Sequence, residues 1–283
     1  MKLVSFLYDG QPGYGTTDGV TIRSASAAMR ARCPDLRAVL SQDALGALAA
    51  DPDATSVPLT AVIMRPPIPN PSRILCVGLN YRKPYPVDGV APPDPENIIL
   101  FGKERQALVG HGVAIQIPFG APADSFDYEG EIAIVIGRKG RNVPIEHAMH
   151  LVAGYSAFND GSVRAWQKHS IHAGKNFERS GSWGPWITTA DEIADPQALE
   201  LSTRLNGDLV QNALAAEMIY TIAEQIAYAS QITTLEPGDV IATGSPDGTG
   251  GSRTPRRFLR AGDRLEVSVS GVGTLVNDVG GFD

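Results

Sequence analysis

The segment Tyr128–Ile136, Tyr-Glu-Gly-Glu-Ile-Ala-Ile-Val-Ile, constrains this chain more than any other. It reads as a buried strand that carries two carboxylates. Side chains two apart on a strand point to the same face. Glu129 and Glu131 therefore stand side by side, with only Gly130 between them on the opposite face. Burying two like charges unpaired is costly, so something positive must accompany them. A divalent cation bound through oxygen is the simplest candidate. Ion pairs with Arg138, Arg164 or Lys175 are the plainer alternative.

A third carboxylate is within reach. Asp160 follows the apolar run Val152–Phe158, where a strand should end. Three carboxylates with open positions suit Mg2+ or Mn2+, hard ions that keep water or take substrate oxygens. No histidine-rich or cysteine-rich cluster favours zinc.

The bulk properties narrow the function classes. At 283 residues the chain suits one large domain, or a core domain with a small partner. Its 43% hydrophobic content can bury a core without staples. The net charge of −7 argues against nucleic acid as the main partner. It does not oppose a small anionic substrate, because a bound metal reverses the field locally. No stretch approaches the roughly 18–20 apolar residues of a membrane span, so no membrane partner is expected. The N-terminus turns polar too soon for a signal peptide, which predicts a cytoplasmic protein. Cys33 and Cys76 are expected to be free structural thiols.

Glycine (30) and proline (21) make up about 18% of the chain, against an ordinary ~12%. Many short strands between such breakers predict an α+β, β-rich fold. Strands are expected within residues 1–23 and at Ile74–Leu79, Ile98–Lys103, Val113–Ile117, Ile132–Ile136, Tyr155–Phe158, Leu199–Asn206, Val240–Thr243, Arg264–Val269 and Thr274–Val279. Ala25–Ala50 predicts one or two short helices interrupted near Pro34, and Met218–Ile232 predicts a helix packed on a sheet. The prolines of Pro58–Pro71 mark a linker. They divide a small N-terminal domain, residues 1–65, from a catalytic domain, residues 66–283. The proline-rich segment at about 81–97 is long enough to be a lid.

Several blocks stand in order along the chain: Ile74-Leu75-Cys76-Val77-Gly78-Leu79-Asn80-Tyr81-Arg82, Ala107-Leu108-Val109-Gly110, Asp127-Tyr128-Glu129-Gly130-Glu131, Gly154-Tyr155, Asn159-Asp160, Arg164-Ala165-Trp166-Gln167, Gly174-Lys175, Gly184-Pro185-Trp186, Leu235-Glu236-Pro237-Gly238-Asp239-Val240-Ile241 and Thr243-Gly244. In these blocks the chain resembles the fumarylacetoacetate hydrolase family, from about Arg73 to the end. The resemblance implies a mixed β-roll or β-sandwich core with a small N-terminal α/β domain, a homodimer, and one Mg2+ or Mn2+ per subunit. It matches Glu129, Glu131 and Asp160 to the metal ligands. Lys175 and Gln167 match catalytic positions beside the substrate. Tyr81, Arg82, Thr243, Gly244 and Ser245 match the substrate-binding segments.

The resemblance also implies a 2-oxo or 2,4-dioxo acid substrate. C–C hydrolysis of the acylpyruvate type is the family default. Decarboxylation and keto–enol isomerisation or tautomerisation are the alternatives. All three reactions pass through an enolate, which a metal and a lysine can stabilise. A scaffold that binds a ligand without catalysis is the reading from another class.

Three departures bear on the reaction. Lys83 and Pro84 occupy the family's Asp-His positions and Val87 its Glu position, so the water-activating dyad is missing. Ala165 replaces an aspartate. Ser245–Gly251 is longer and more polar than usual, and Arg253, Arg256 and Arg257 follow it. His169 and His172 lie between Gln167 and Lys175 and are the candidate replacement bases. Asp88 and Glu104 are weaker ones. Loss of the dyad shifts weight from hydrolysis toward reactions that need only a proton shuttle.

Overall fold

The run Ile132–Ile136 has no polar side chain, so a strand there must be covered on both faces. In the computed structural model, which describes residues 1–82 and 93–281, Gly130–Ile136 is a fully buried strand inside a large sheet. The fold is α+β. The sheet runs Thr55–Pro58, Thr21–Ser24, Gln11–Thr17, Lys2–Tyr8, Gly181–Thr189, Val152–Asn159, Gly130–Ile136, Val240–Ala242, Ile74–Gly78 and Ile99–Gly102. Two short strands, Ile63–Met64 and Leu108–Val109, pair alongside this path.

Alternation along the central strand sorts its side chains between two cores. Ile132, Ile134 and Ile136 pack with Leu201, Leu205, Val267 and Leu275 of a second sheet. That sheet runs Asp208–Leu214, Glu200–Leu205, Arg264–Val269, Gly273–Gly280 and Ile115–Gln116. Ala133 and Val135 face the other way, into a core with Met29, Leu36, Val39 and Leu48. Those residues come from three short helices, Ala27–Arg32, Leu36–Ser41 and Leu45–Ala49, where one or two were expected. Ser26 and Asp35 cap the first two by accepting from the N–H groups of Met29 and Ala38.

The N-terminal residues join the rest through main-chain pairing. Lys2 and Leu3 lie opposite Thr188 and Ile187, and Met64 pairs back onto Phe6. The boundary expected at residue 65 therefore follows strands of the same sheet that carries Glu131.

Two differences from the sequence expectations have clear causes. Gly181–Thr189 is an interior strand despite Gly184 and Pro185, residues that read as breakers. Its pairing with Val152–Asn159 slips between Tyr155 and Ala157, and Pro185 sits in that irregular stretch, where no ladder N–H is missed. The helix expected from Met218 begins instead at Ile222, capped by Thr221 with Glu224. Met218 bridges to Tyr81, and the Ile219 N–H donates to the Asn80 carbonyl at 2.8 Å. These residues thus hold the end of the Ile74–Gly78 strand rather than starting the helix. Among the described residues no helix is long and apolar enough to cross a membrane, and Cys33 and Cys76 are buried free thiols.

Candidate active site

The antiparallel register assembles the three carboxylates. Gly130 lies opposite Asn159 and Glu131 opposite Phe158, so the end of one strand meets the end of its neighbour. The Asp160 N–H then donates to the Glu129 carbonyl at 2.8 Å, which turns Asp160 back beside the glutamates. Glu129, Glu131 and Asp160 each offer an oxygen, and these atoms lie within 4.8 Å of one another. Gly130 is required on the opposite face, because a Cβ there would come within 2.0 Å of the Thr203 hydroxyl of the second sheet. Glutamates two apart on one face, with a glycine behind, is the arrangement that strand periodicity dictates.

Three cations accompany the carboxylates. Arg164 donates through Nη1 to Glu129 Oε1 at 2.5 Å and through Nε to Asp127 Oδ2 at 2.8 Å. Lys175 Nζ bridges Glu129 Oε2 and Asp160 Oδ2, the latter at 2.5 Å. Lys103, fully buried, donates to Asp160 Oδ1 at 2.6 Å and to the carbonyls of Gly161 and Lys175. Asp127, Glu129, Glu131 and Asp160 thus face Lys103, Arg164 and Lys175, which leaves one negative charge in surplus. The surplus falls on Glu131, which is 1% exposed and, among the described residues, receives only the Gly244 N–H, at 3.0 Å on Oε2.

The proton affinities follow from this layout. Burial, then Asp160 and Glu129, push the Glu131 carboxyl well above the ordinary glutamate range. Burial also pushes on Glu129, but Arg164 and Lys175 outweigh it and hold that carboxyl low. Asp160 is likewise held low against burial by Lys103 and Lys175. Burial favours loss of the Lys175 proton, yet Asp160, Glu129 and Glu131 reverse this and raise its pKa. Lys175 is therefore held as an ammonium here. A buried all-oxygen donor set with one uncompensated carboxylate fits a hard divalent cation.

A cleft of about 310 Å3 opens beside these groups. Glu129, Glu131, Lys175, Gln167, Tyr81 and Ser245 all line it. Gly244 sits behind Glu131 at φ +95°, where a side chain would also crowd Asn80 Cβ at 2.7 Å. Thr243 is buried, and its hydroxyl donates to the Ile132 carbonyl at 3.0 Å, so it braces the loop from behind. Arg82 is exposed and paired with Asp94 at 2.7 Å, away from the cleft walls. Lys83, Pro84, Val87 and Asp88 lie outside the described residues, as does most of the segment read as a lid.

The structure does not bring the two candidate histidines to the cleft. His169 is exposed and its ring leans on Trp166, with centroids 4.9 Å apart. His172 is exposed, with Nδ1 3.2 Å from the Asn176 amide nitrogen. Neither lines the cleft, although Gln167 and Lys175 on either side of them in sequence do. Glu104 is also exposed and outside the cleft. His169→Ala and His172→Ala are therefore expected to keep the pH–rate profile of the parent enzyme. A lost acidic limb in either profile would return that histidine to the mechanism.

Sequence reasoning missed Lys103, Gln211 and the role of Asn80. Lys103 follows the strand Ile99–Gly102 much as Asp160 follows its own, and a search for cations at strand ends would have found it. Gln211 donates to the Ser245 hydroxyl and the Pro246 carbonyl, both at 2.8 Å, and accepts from the Gly130 N–H. Asn80 donates to the Thr243 carbonyl at 2.8 Å and accepts from the Tyr220 N–H, tying three segments behind the cleft.

Comparison with known proteins bears on this geometry. Residues 73–280 match the family model described as fumarylacetoacetate (FAA) hydrolase C-terminal. The oxaloacetate tautomerase YisK of Bacillus subtilis (strain 168) is 38% identical over 225 residues, covering 78% of this chain and 74% of that protein. A crystal structure of maleylpyruvate hydrolase from Sphingobium sp. SYK-6, in complex with manganese(II) ion and pyruvate, superimposes with a TM-score of 0.80 at 30% identity over the whole of both chains. The 2-hydroxyhepta-2,4-diene-1,7-dioate isomerase of Mycobacterium marinum gives a TM-score of 0.77 at 29% identity, over 99% of this chain and 98% of that one.

Proposed function

The chain belongs to the fumarylacetoacetate hydrolase family, and from that premise we propose that it is a divalent-metal-dependent tautomerase of a small 2-oxo acid. One observation carries the choice of reaction. Glu129, Glu131, Lys175 and Gln167 line the cleft, but no histidine does among the described residues. C–C hydrolysis needs a base to activate water, and the sequence has proline at the position where the family resemblance places that base. Tautomerisation needs only that a proton leave one carbon and reach one oxygen. The likeness to an oxaloacetate tautomerase points the same way.

Glu129, Glu131 and Asp160 would hold the cation, and neutralise it enough for a site buried in the sheet edge. Mg2+ and Mn2+ both suit such a donor set, and the likeness to a manganese-bound structure favours testing Mn2+ first. When bound, a divalent cation supplies Lewis acidity that stabilises negative charge on a keto oxygen. Lys175, an ammonium at the cleft wall, donates toward the same developing oxyanion. Gln167 offers its amide from the neighbouring turn to orient the acid. Asp247 also lines the cleft and makes no ion pair with a described residue, which makes it our candidate for the group that takes the carbon-bound proton.

The test is a turnover experiment on oxaloacetate with Mg2+ or Mn2+. The enol band should decay faster with enzyme, and the methylene protons should exchange with deuterium while the carbon skeleton stays intact. Asp247→Asn should slow that exchange by about 100-fold. Pyruvate and CO2 as the enzymatic products would replace tautomerase by decarboxylase. Selective cleavage of acylpyruvates would restore the hydrolase.

A further inference from the structure

The cleft beside the carboxylates continues past Arg164. A second cleft, about 340 Å3, adjoins it and shares Arg164, Thr249 and Ser252 as a common wall. Its outer walls add Lys168, Arg256, Ala165 and Phe258, and among the described residues no carboxylate lines it. Neither the Lys168 nor the Arg256 side chain makes an ion pair or hydrogen bond with a described residue. Arg164 is anchored by Asp127 and Glu129 through Nε and Nη1, while its buried Nη2 has no hydrogen-bond partner among the described residues. Ala165 presents only a methyl group on this wall.

Two uncompensated cations converging on one concavity invert the field of a chain whose net charge is −7. Single exposed basic residues are ordinary surface. Here both face the same recess, and that recess abuts the site of the reaction. A guanidinium and an ammonium across a cleft match a carboxylate, the first through its planar fork and the second as a point charge.

We propose that the second cleft is a subsite for the remote carboxylate of a 2-oxo dicarboxylic acid, with Lys168 and Arg256 as the residues that read its charge. This rests on the reading of the first cleft as the place where the 2-oxo acid end binds. The enzyme then prefers diacids because the tail carboxylate crosses the wall formed by Arg164, Thr249 and Ser252. Phe258 and Ala165 leave room for the aliphatic stretch between the two ends.

The experiment is calorimetric binding to the Mn2+-loaded protein. The probes are 2-oxoglutarate, 2-oxoadipate and 2-oxopimelate, each set against the 2-oxo monocarboxylic acid of equal length. At least one diacid should bind about fivefold more tightly than its monoacid. That advantage should shrink between about 0.05 M and about 0.5 M salt. The Lys168→Ala/Arg256→Ala protein should bring the pair to parity. Arg256→Glu in the Lys168→Ala background should reverse the preference, with an unchanged unfolding midpoint showing that the fold is intact. Monoacids that bind while every diacid stays within about twofold of them would overturn the subsite and leave the first cleft standing. So would a diacid advantage that survives the double substitution. If no 2-oxo acid binds the parent protein, the proposed function fails, and the subsite with it.

Discussion

Glu131→Gln is expected to abolish both divalent-metal binding and turnover, and at the same time to stabilise the metal-free protein. The two effects have one origin. Glu131 is the carboxylate left without a cation, buried at the strand edge between Asp160 and Glu129. Its amide replacement keeps an oxygen to accept the Gly244 N–H but removes the surplus charge. The sign in pH follows. A carboxyl whose folded pKa lies above its unfolded value contributes stability that is fully present below the unfolded pKa, near 4.5. That contribution is lost as pH rises through the folded one. The parent protein without metal should therefore lose stability from about pH 4.5 upward, and the variant should not. Glu129 and Asp160, held low, act oppositely, but their losses fall as pH drops below about 4.5. Mn2+ at about 100 times its dissociation constant should add about 2.7 kcal/mol to the parent and nothing to the variant. Thermal unfolding from pH 5 to 8, with and without Mn2+, reads both effects. A metal response equal in the two proteins would remove Glu131 from the cation site.

Lys175→Met is expected to lower kcat by about 100- to 1,000-fold while leaving the cation bound. The ammonium bridges Glu129 and Asp160 from the cleft wall, where it neutralises those carboxylates and, in the function proposed above, faces the substrate. Removing it leaves two buried carboxylates short of one partner. In the metal-free protein this should cost about 3–5 kcal/mol, the usual penalty for breaking a buried pair on one side. A bound divalent cation replaces the missing charge, so most of that loss should return with Mn2+. The variant should also bind Mn2+ at least as tightly as the parent, because the competing ammonium is gone. Turnover close to that of the parent on the true substrate would confine Lys175 to a structural role. Loss of metal affinity would instead make it a support for the ligand geometry.

The strands most legible in the sequence were those with a uniform or strictly alternating pattern, Ile132–Ile136, Leu199–Asn206 and Arg264–Val269, because the side-chain period of two reports the faces directly. Gly181–Thr189 was hidden, since Gly184 and Pro185 break the local pattern and only the slipped register against Val152–Asn159 accommodates them. Asp208–Leu214, with Asp208, Gln211 and Asn212 along it, gave no apolar stripe to read, and its place is set by pairing with Glu200–Leu205. In the site the same division holds. The glutamate pair was legible because two residues on one strand have a fixed geometry. His169 and His172 were misplaced because lying between two cleft residues in sequence does not fix direction: both are exposed, while Gln167 and Lys175 line the cleft.

The sequence by itself determined that Glu129 and Glu131 share a face and that they need a positive partner, since strand periodicity and the cost of buried like charge are local facts. It also determined that proline stands at position 84, where the family resemblance places a histidine. Only the tertiary structure decided how the charge is shared. Lys103, Arg164 and Lys175 reach Glu129 and Asp160 from three separate segments and leave Glu131 without a cation. Strand pairing over long sequence separations made that choice, because it fixes which ends meet. Through-space electrostatics acts on those distances and not on spacing along the chain.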